Sequence, residues 1–549
     1  MRPIVKNIDV VAIGVVLIGL ILGIAQRSNL PAVPLLTPDA WGYLSPALSW
    51  LGGDGFQQAN GREWLYPAIL AATIRLGGEF DWIVRLQQCL SLLAAPLLWL
   101  CVRLWLSIFP RRSVLFHGLA VLLGALATFI YVLGTAQIQL ELTIGPEGLL
   151  AFFMIVYFTA SLAYFRARWV TRQSLSAIVF GAGMLLCCYT VILLRPSWTL
   201  AIVPVSCVLV VGMFGSGSIR LRLTPFATGL LLVGAEYTLP QCLQFRPDLG
   251  ARTLLPFNLV EIHAVEIVEN AKRHHLLESG ERRSDNTETC FYDALEQAWE
   301  EARLQPLRNR MLGFDADYIQ YNRKLFSTFQ SERKLTDDAL IKLCYHAYFR
   351  AWRDSPDTMV AKIARQFYLF LTAPSKDFSA YALDRRRFRE IAAAVDPCIE
   401  ASVAEARSRG YTDQPACAIY LGTLQEVYAQ GFQINHVAVQ RYLAAAFAKA
   451  SLWIQTAFFA ALLWVLGDRR FRDLRLLGYA AVLVTAGLYG NVLTISIVHT
   501  LDVERYRSSY APALLLTLVI MAAFVIRVFE QLFHREKMEG QQRRETDNT

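Results

Sequence analysis

Two acids in this chain sit beside long apolar runs, where an acid is expensive. Asp39 opens a helical pattern, TPDAWGYLSPAL, shortly after the first apolar block. Glu147 follows Pro146 in TIGPEGLLAFF, at the start of another block. A carboxylate at either place can take a proton from an acceptor hydroxyl as a general base, or can ligate a cation. Acids at membrane depth are rare and usually functional. Each also has an ordinary reading. Asp39 after Pro38 suits a helix cap, and a helix start favours an acid at 147. Glu141, six residues before Glu147, competes with it. One acid per loop on adjacent helices points to a site between them.

A phosphate-bearing substrate needs basic partners. The candidates are Arg62 in GREWLYP, Arg195 in LLRPSW, and Arg505 and Arg507 in DVERYRSSYAP. An arginine can hold a phosphate by paired, charge-assisted hydrogen bonds; the alternative is an interface anchor. Trp41, Tyr43, Trp64, Tyr66 and Tyr506 fall in the same stretches. They suit stacking on a sugar face, or an aromatic belt at a bilayer surface. No HExxH pattern, Walker motif or GxGxxG is present, which argues against an ATP-driven pump. An acid pair without histidines suits Mg²⁺ or Mn²⁺ better than zinc. A divalent cation on Asp39 and Glu147 is left open.

The chain that must position these residues has 549 residues, 55% hydrophobic and 18% charged, with mean hydropathy +0.36. About 25% charged is usual for a soluble domain. A disordered chain, a collagen-like fibre and an ordinary soluble enzyme are excluded. Ten blocks approach the roughly 17–25 apolar residues that a spanning helix needs: 9–26, 84–107, 113–133, 147–165, 175–194, 197–214, 223–240, 445–467, 474–498 and 509–528. Arg195-Pro196 reads as a tight turn or as a kink within one long helix. The first block has no evident cleavage site and reads as a retained anchor rather than a signal peptide.

Orientation follows from the Lys/Arg bias of short loops. With ten spans and the N-terminus inside, the loops FPRRS, FRARWVTR, SIRLR and GDRRFRDLR all fall on the cytoplasmic side, with both termini. This predicts a multi-pass protein with its site on the outer face, which is the periplasmic face if the membrane is a bacterial inner membrane.

Two segments fall outside. Residues 27–83 carry helical patterns at 39–52 and 65–76, separated by a Gly-rich turn. Residues 241–444 change composition, with 25 Lys/Arg and 27 Asp/Glu in 241–440. Their helical periodicity predicts a mostly helical external domain. Residues 357–372 are amphipathic, lying on the membrane surface or in a core. Five cysteines fall in spans as apolar filler. Of the five outside, Cys398 and Cys417 are the best candidates for a disulfide, which a periplasm permits. The sequence thus divides into a membrane module at 1–240, an external domain at 241–444, spans at 445–530 and a disordered tail at 531–549.

The run PDAWGYLSPAL, then GREWLYPAILAAT, then WIVRLQQCLSLL resembles integral-membrane glycosyltransferases of the C-type fold. The protein mannosyltransferases and the lipid A aminoarabinose transferase are nearest in style. Asp39 matches the acid of that superfamily's first outside loop, which precedes two amphipathic helices. Arg62, Tyr66 and Pro67 match its R-x-P-G-Y-P element, without the Pro-Gly. Glu147 matches its second acid, and DVERYRSSYAP resembles its R-Y element before a late span. The likeness covers 8–240, and 499–526 weakly; 241–440 matches no domain of the superfamily.

The resemblance implies an all-α polytopic fold and an inverting transfer. The donor would be a sugar on polyprenyl phosphate. The acceptor would be an envelope glycan, lipid or protein; no nucleic acid is implied. Arg62 and Arg505 would hold the phosphate, Asp39 would be the base, and Glu147 would position the acceptor or bind a cation. A transporter, or a non-catalytic receptor or assembly factor, is the rival. The uncharged span centres and the polar residues gathered at one face favour the enzyme.

Overall fold

The computed structural model describes residues 2–37, 39–56, 62–108, 113–214, 219–242, 249–274, 286–305, 313–372, 404, 407, 415–499 and 503–547. Among them every regular element is helical; one isolated bridge, Leu35 with Thr143, is the sole β pairing. In lipid the backbone must satisfy itself, and helices do so.

Nine helices among the described residues are long and apolar enough to cross a membrane. They include α1 (Arg2–Ser28), α4 (Asp81–Leu106), α5 (Val114–Val132), α7 (Glu147–Phe165), α8 (Ser174–Leu194) and the span Pro196–Met213, most of which is α9 (Ile202–Phe214). The short helices α2 (Ala40–Leu51), α3 (Leu65–Gly77) and α6 (Thr135–Leu142) lie between them. The protein is therefore a polytopic all-α membrane protein.

The seventh expected span is a helix, α10 (Ile219–Cys242), but it is not apolar enough to count among the nine. Its 24 residues reach about 36 Å, enough to cross. It packs along α8, where Tyr189 donates to Glu236. The Arg195-Pro196 ambiguity resolves as a turn: α8 stops at Leu194, Arg195 is extended, and Pro196–Ala201 is a 3₁₀ turn leading into α9.

Residues beyond α10 build a second core. It is formed by α11 (Leu249–Ile262), α12 (Ala264–Arg273), α13 (Thr287–Arg303), α14 (Leu325–Arg333), α15 (Asp337–Asp354) and the start of α16 (Pro356–Thr372). Met359 belongs to this core while Phe370 and Leu371 of the same helix belong to the membrane core. So α16 joins the two cores. Helix α17 (Pro415–Gln430) returns to the membrane core. Helices α18 (Ala438–Gly467), α19 (Arg475–Val498) and α20 (Val503–Asp547) complete the bundle.

Side-chain ties fix the two ends. At one end Asp9 of α1 accepts from Arg103 of α4 at 3.0 Å and faces His117 of α5 at 3.4 Å. At the same end Arg168 donates to the Gly212 carbonyl at 2.7 Å. The other end carries Glu141, Glu147, Arg195 and Tyr506, and the candidate site. Within the bundle α20 is the most enclosed span and α1 the least; Val10, Leu17 and Ile21 of α1 are exposed, as lipid-facing residues should be. Each described cysteine is a free thiol, Cys417 included, and Cys398 lies outside the described residues.

Candidate functional site

The backbone bridge sets the site. Leu35 N–H donates to the Leu142 carbonyl at 2.6 Å, and Ile144 N–H donates to the Leu35 carbonyl at 3.0 Å. The segment leaving α1 is thereby laid beside the segment entering α7. Each then runs a few residues further, one to Asp39 and the other to Glu147. Helix α17 holds this arrangement from outside: the Tyr420 and Tyr428 hydroxyls donate to the Pro34 and Leu36 carbonyls at 2.7 and 3.3 Å.

Asp39 stands at the cap position of α2, but its carboxylate makes no capping hydrogen bond. It is aimed at Arg62, whose Nη2 donates to Oδ1 at 2.6 Å. Both side chains are only partly buried, so a ligand can reach them. Glu147, in the first turn of α7, pairs with Arg195. That geometry follows from the break after α8: an extended Arg195 points its side chain back across the end of α7.

Aromatic rings join the two pairs. The Arg62 guanidinium lies 5.0 Å over Tyr43, and the Arg195 guanidinium lies 5.3 Å over Tyr506. Tyr43 and Tyr66 meet edge to face at 5.2 Å. Burial raises the Tyr43 phenol, Arg62 and Arg195 oppose that shift, and Glu147 and Tyr506 add to it. Tyr43 is therefore within electrostatic reach of both pairs. Cation–π contacts of this kind contribute about 0.5–2 kcal/mol each.

Tyr66 is fully buried and works as a strut. Its hydroxyl accepts from Gly145 N–H at 2.9 Å and donates to Gln87 Oε1 at 3.1 Å. Gln87 Nε2 donates to the Glu141 and Thr143 carbonyls at 2.8 and 3.1 Å. The loop before Glu147 is thus fixed by side chains from α3 and α4. Gly148 makes room for this: a Cβ there would lie 2.6 Å from the Gln87 amide.

Glu141 serves elsewhere. It is fully buried and takes two hydrogen bonds from Arg27, Nε to Oε2 and Nη2 to Oε1, each 2.7 Å. Arg27 also donates to the Gly23 and Val132 carbonyls. This pair ties α1 to α5 and α6, so Glu141 is a bundle tie rather than a wall of the site. Trp41 is nearly buried, with its indole N–H unpartnered. Arg507 is buried in the first turns of α20. The Arg505 side chain lies outside the described residues.

Three groups not singled out in the sequence belong here. His499, at the end of α19, lies 3.3 Å from the Tyr506 hydroxyl through Nδ1. Burial, then Arg195 and Arg62, hold it down to about 3, so it is a neutral imidazole. Glu63, next to Arg62, is pushed up by burial and by Glu236. Tyr321, exposed on a π-helical turn beside the second core, is within electrostatic reach of Arg62 and Tyr506. No sequence signal marks these positions; each becomes relevant only through packing.

The donor set fits an anion better than a cation. Asp39 and Glu147 each already face a guanidinium, and among the described residues no group of three His, Cys, Asp or Glu could hold a metal. Mg²⁺ or Mn²⁺ at this pair would have to compete with both arginines.

No protein-family model matches the chain. No curated protein matches it either. Among solved structures it is similar to ArnT from Cupriavidus metallidurans in the apo state, with 15% identity over 89% of this chain and 77% of that one. The TM-score is 0.28, a likeness that sets up no residue correspondence, and the site stands on its own geometry.

Proposed function

We propose that this protein is an inverting glycosyltransferase. It moves a sugar from a polyprenyl-phosphate donor to an envelope glycan or lipid acceptor on the outer face of the membrane. The supporting observation is two acid–arginine pairs, Asp39–Arg62 and Glu147–Arg195, each with its guanidinium over a tyrosine, at one end of the bundle. The basic loops lie at the opposite end of the spans, and the Lys/Arg rule supports reading the site as the outer one.

The pairs describe a site at rest. A donor phosphodiester arriving at Arg62 offers two oxygens that share one negative charge, and the guanidinium fork takes both together. Arg62 turns to the phosphate, and Asp39 is released as a base. The acceptor hydroxyl gives its proton to Asp39 as its oxygen attacks the anomeric carbon. The bond from that carbon to the phosphate oxygen breaks, and the configuration inverts. The leaving phosphate carries the growing charge, which Arg62 and Arg195 stabilise in place. Glu147 positions the acceptor, Tyr43 and Tyr506 carry the two guanidiniums on their ring faces, and Trp41 is assigned to the sugar. Arg505 and Arg507 are assigned to the donor phosphate by their place at the start of α20.

The test is release of polyprenyl phosphate by purified wild type and Asp39→Asn in nanodiscs, across a panel of polyprenyl-phosphate sugars with envelope extract as acceptor. The expected result is turnover of one donor by wild type and a folded, inactive variant. Full turnover by the variant moves the base elsewhere. A wild type that turns over no donor overturns the reading.

A further inference from the structure

An arginine turn borders an apolar groove at the opposite end of the bundle. Helix α7 does not end simply. It passes into a π-helical turn, Arg166–Val170, and Arg172 then takes a left-handed conformation with φ 54°. Such turns re-aim side chains and recur at functional positions. The two arginines of the turn are used differently. Arg168 is spent on the Gly212 carbonyl, tying α7 to α9. Arg166 lines a groove between α4, α7 and α8, and its Nε is buried there without a partner.

The groove has a volume of about 410 Å³. Leu97, Leu100, Val156, Ala160 and Phe180 make it apolar, with Gln173 and Ser176 at the Arg166 end. From Val156 to Arg166 it follows ten residues of α7, about 15 Å. That is the depth of one leaflet in a hydrocarbon core of about 30 Å. Leu100 and Phe180 are partly exposed beside it, so its open side faces the bilayer. No acid occurs between Glu147 and Glu236, so α7 beyond its first residue and all of α8 carry no carboxylate beside Arg166.

We propose that this groove holds one phospholipid with an anionic headgroup, its phosphate on Arg166 and an acyl chain against α4, α7 and α8. A soluble anion satisfies Arg166 but leaves the apolar wall uncovered. A zwitterionic lipid covers the wall but brings a cation into a cluster of arginines. The site is independent of the glycosyltransferase reading and lies at the other end of the spans.

The test is native mass spectrometry of the full chain released from detergent, with added phosphatidylglycerol or phosphatidylcholine of identical chains. Wild type should retain one phosphatidylglycerol in preference to phosphatidylcholine. Arg166→Gln should lower phosphatidylglycerol occupancy about tenfold and abolish the preference. Gly183→Phe fills the groove from α8, where a Cβ meets nothing within 4 Å. It should remove the bound lipid with Arg166 still present. If Arg166→Gln does not elute as folded protein, Gly183→Phe decides alone. Equal phosphatidylglycerol retention in wild type and Gly183→Phe overturns the proposal, as does displacement of the lipid by millimolar inorganic phosphate.

Discussion

Asp39 Oδ1 accepts from Arg62 Nη2 at 2.6 Å, and the same guanidinium lies 5.0 Å over the ring of Tyr43. One arginine therefore neutralises the proposed base and marks the proposed phosphate position. These two jobs can be separated. Arg62→Gln takes this guanidinium away from Asp39 and also removes the phosphate partner. We expect a loss of about 10²–10³-fold in turnover, the range for removing one preorganised charge stabiliser. Arg62→Lys, a point charge without the fork, should recover part of it. Steady-state release of polyprenyl phosphate is the measurement. A fully active Arg62→Gln would take the phosphate away from this residue.

The second pair predicts coupling. Glu147 and Arg195 are both mostly buried, so removing either strands the other. Glu147→Gln and Arg195→Gln should each lower activity, and the double variant should lose less than the two losses combined. Interaction terms of about 0.5–3 kcal/mol are expected for contacting charges. Strict additivity in the double-mutant cycle would show that the two act separately.

Glu141 and Arg27 make the contrasting case, because stability rather than catalysis should respond. Both are essentially excluded from solvent. Arg27→Met leaves a carboxylate buried without its cation, at a cost of about 3–5 kcal/mol. Arg27→Met with Glu141→Leu should recover most of the melting temperature while keeping turnover. If the double variant is folded but inactive, Glu141 has a role in the reaction after all.

Much of this was legible in the sequence. The helices at Ala40–Leu51 and Leu65–Gly77 follow from apolar periodicity, and the spans from length and composition. Asp39 and Glu147 stand out as acids beside apolar runs. The pairings were not legible. Asp39 meets Arg62 and Glu147 meets Arg195 because two backbone hydrogen bonds at Leu35 lay one loop beside the other, and backbone bonds leave no residue signature. Glu141 looked like a site acid because its partner Arg27 is 114 residues away, at the end of a span where an arginine reads as an anchor. Helix α10 was expected as an ordinary span, and its apolarity falls short because Arg220, Arg222 and Glu236 sit in a stretch with several polar residues.

A buried lysine near the second core gives a stability prediction. Lys362 of α16 has its Nζ buried without a partner. Burial pushes it down to about 7, against a partial pull upward from Glu266. A buried cation without a close partner is a net cost, and apolar replacement of similar volume is often stabilising. Lys362→Met should raise the melting temperature at pH 7. A lower melting temperature would mean that the ammonium holds Glu266 in place strongly enough to offset its burial.

His499 supplies the pH dependence of the site. Burial, with Arg195 and Arg62 adding to it, holds its folded value at about 3, against about 6.5 for a free imidazole. Between those values the unfolded chain binds a proton that the folded protein does not. Stability from this group is therefore complete above about pH 6.5 and is lost as pH falls toward 3. Carboxylates elsewhere lose stability over part of the same range, so the curve of wild type alone does not isolate the histidine. The difference from His499→Gln does, because glutamine does not titrate and the other groups are common to both. Melting temperatures of the two proteins from pH 8 to pH 4 should converge or cross as the pH falls, with wild type dropping more steeply. Parallel curves would mean that His499 takes up its proton in the folded state at an ordinary pH. Its imidazole would then stand as a cation between Arg62 and Arg195, with the site relaxed to admit it.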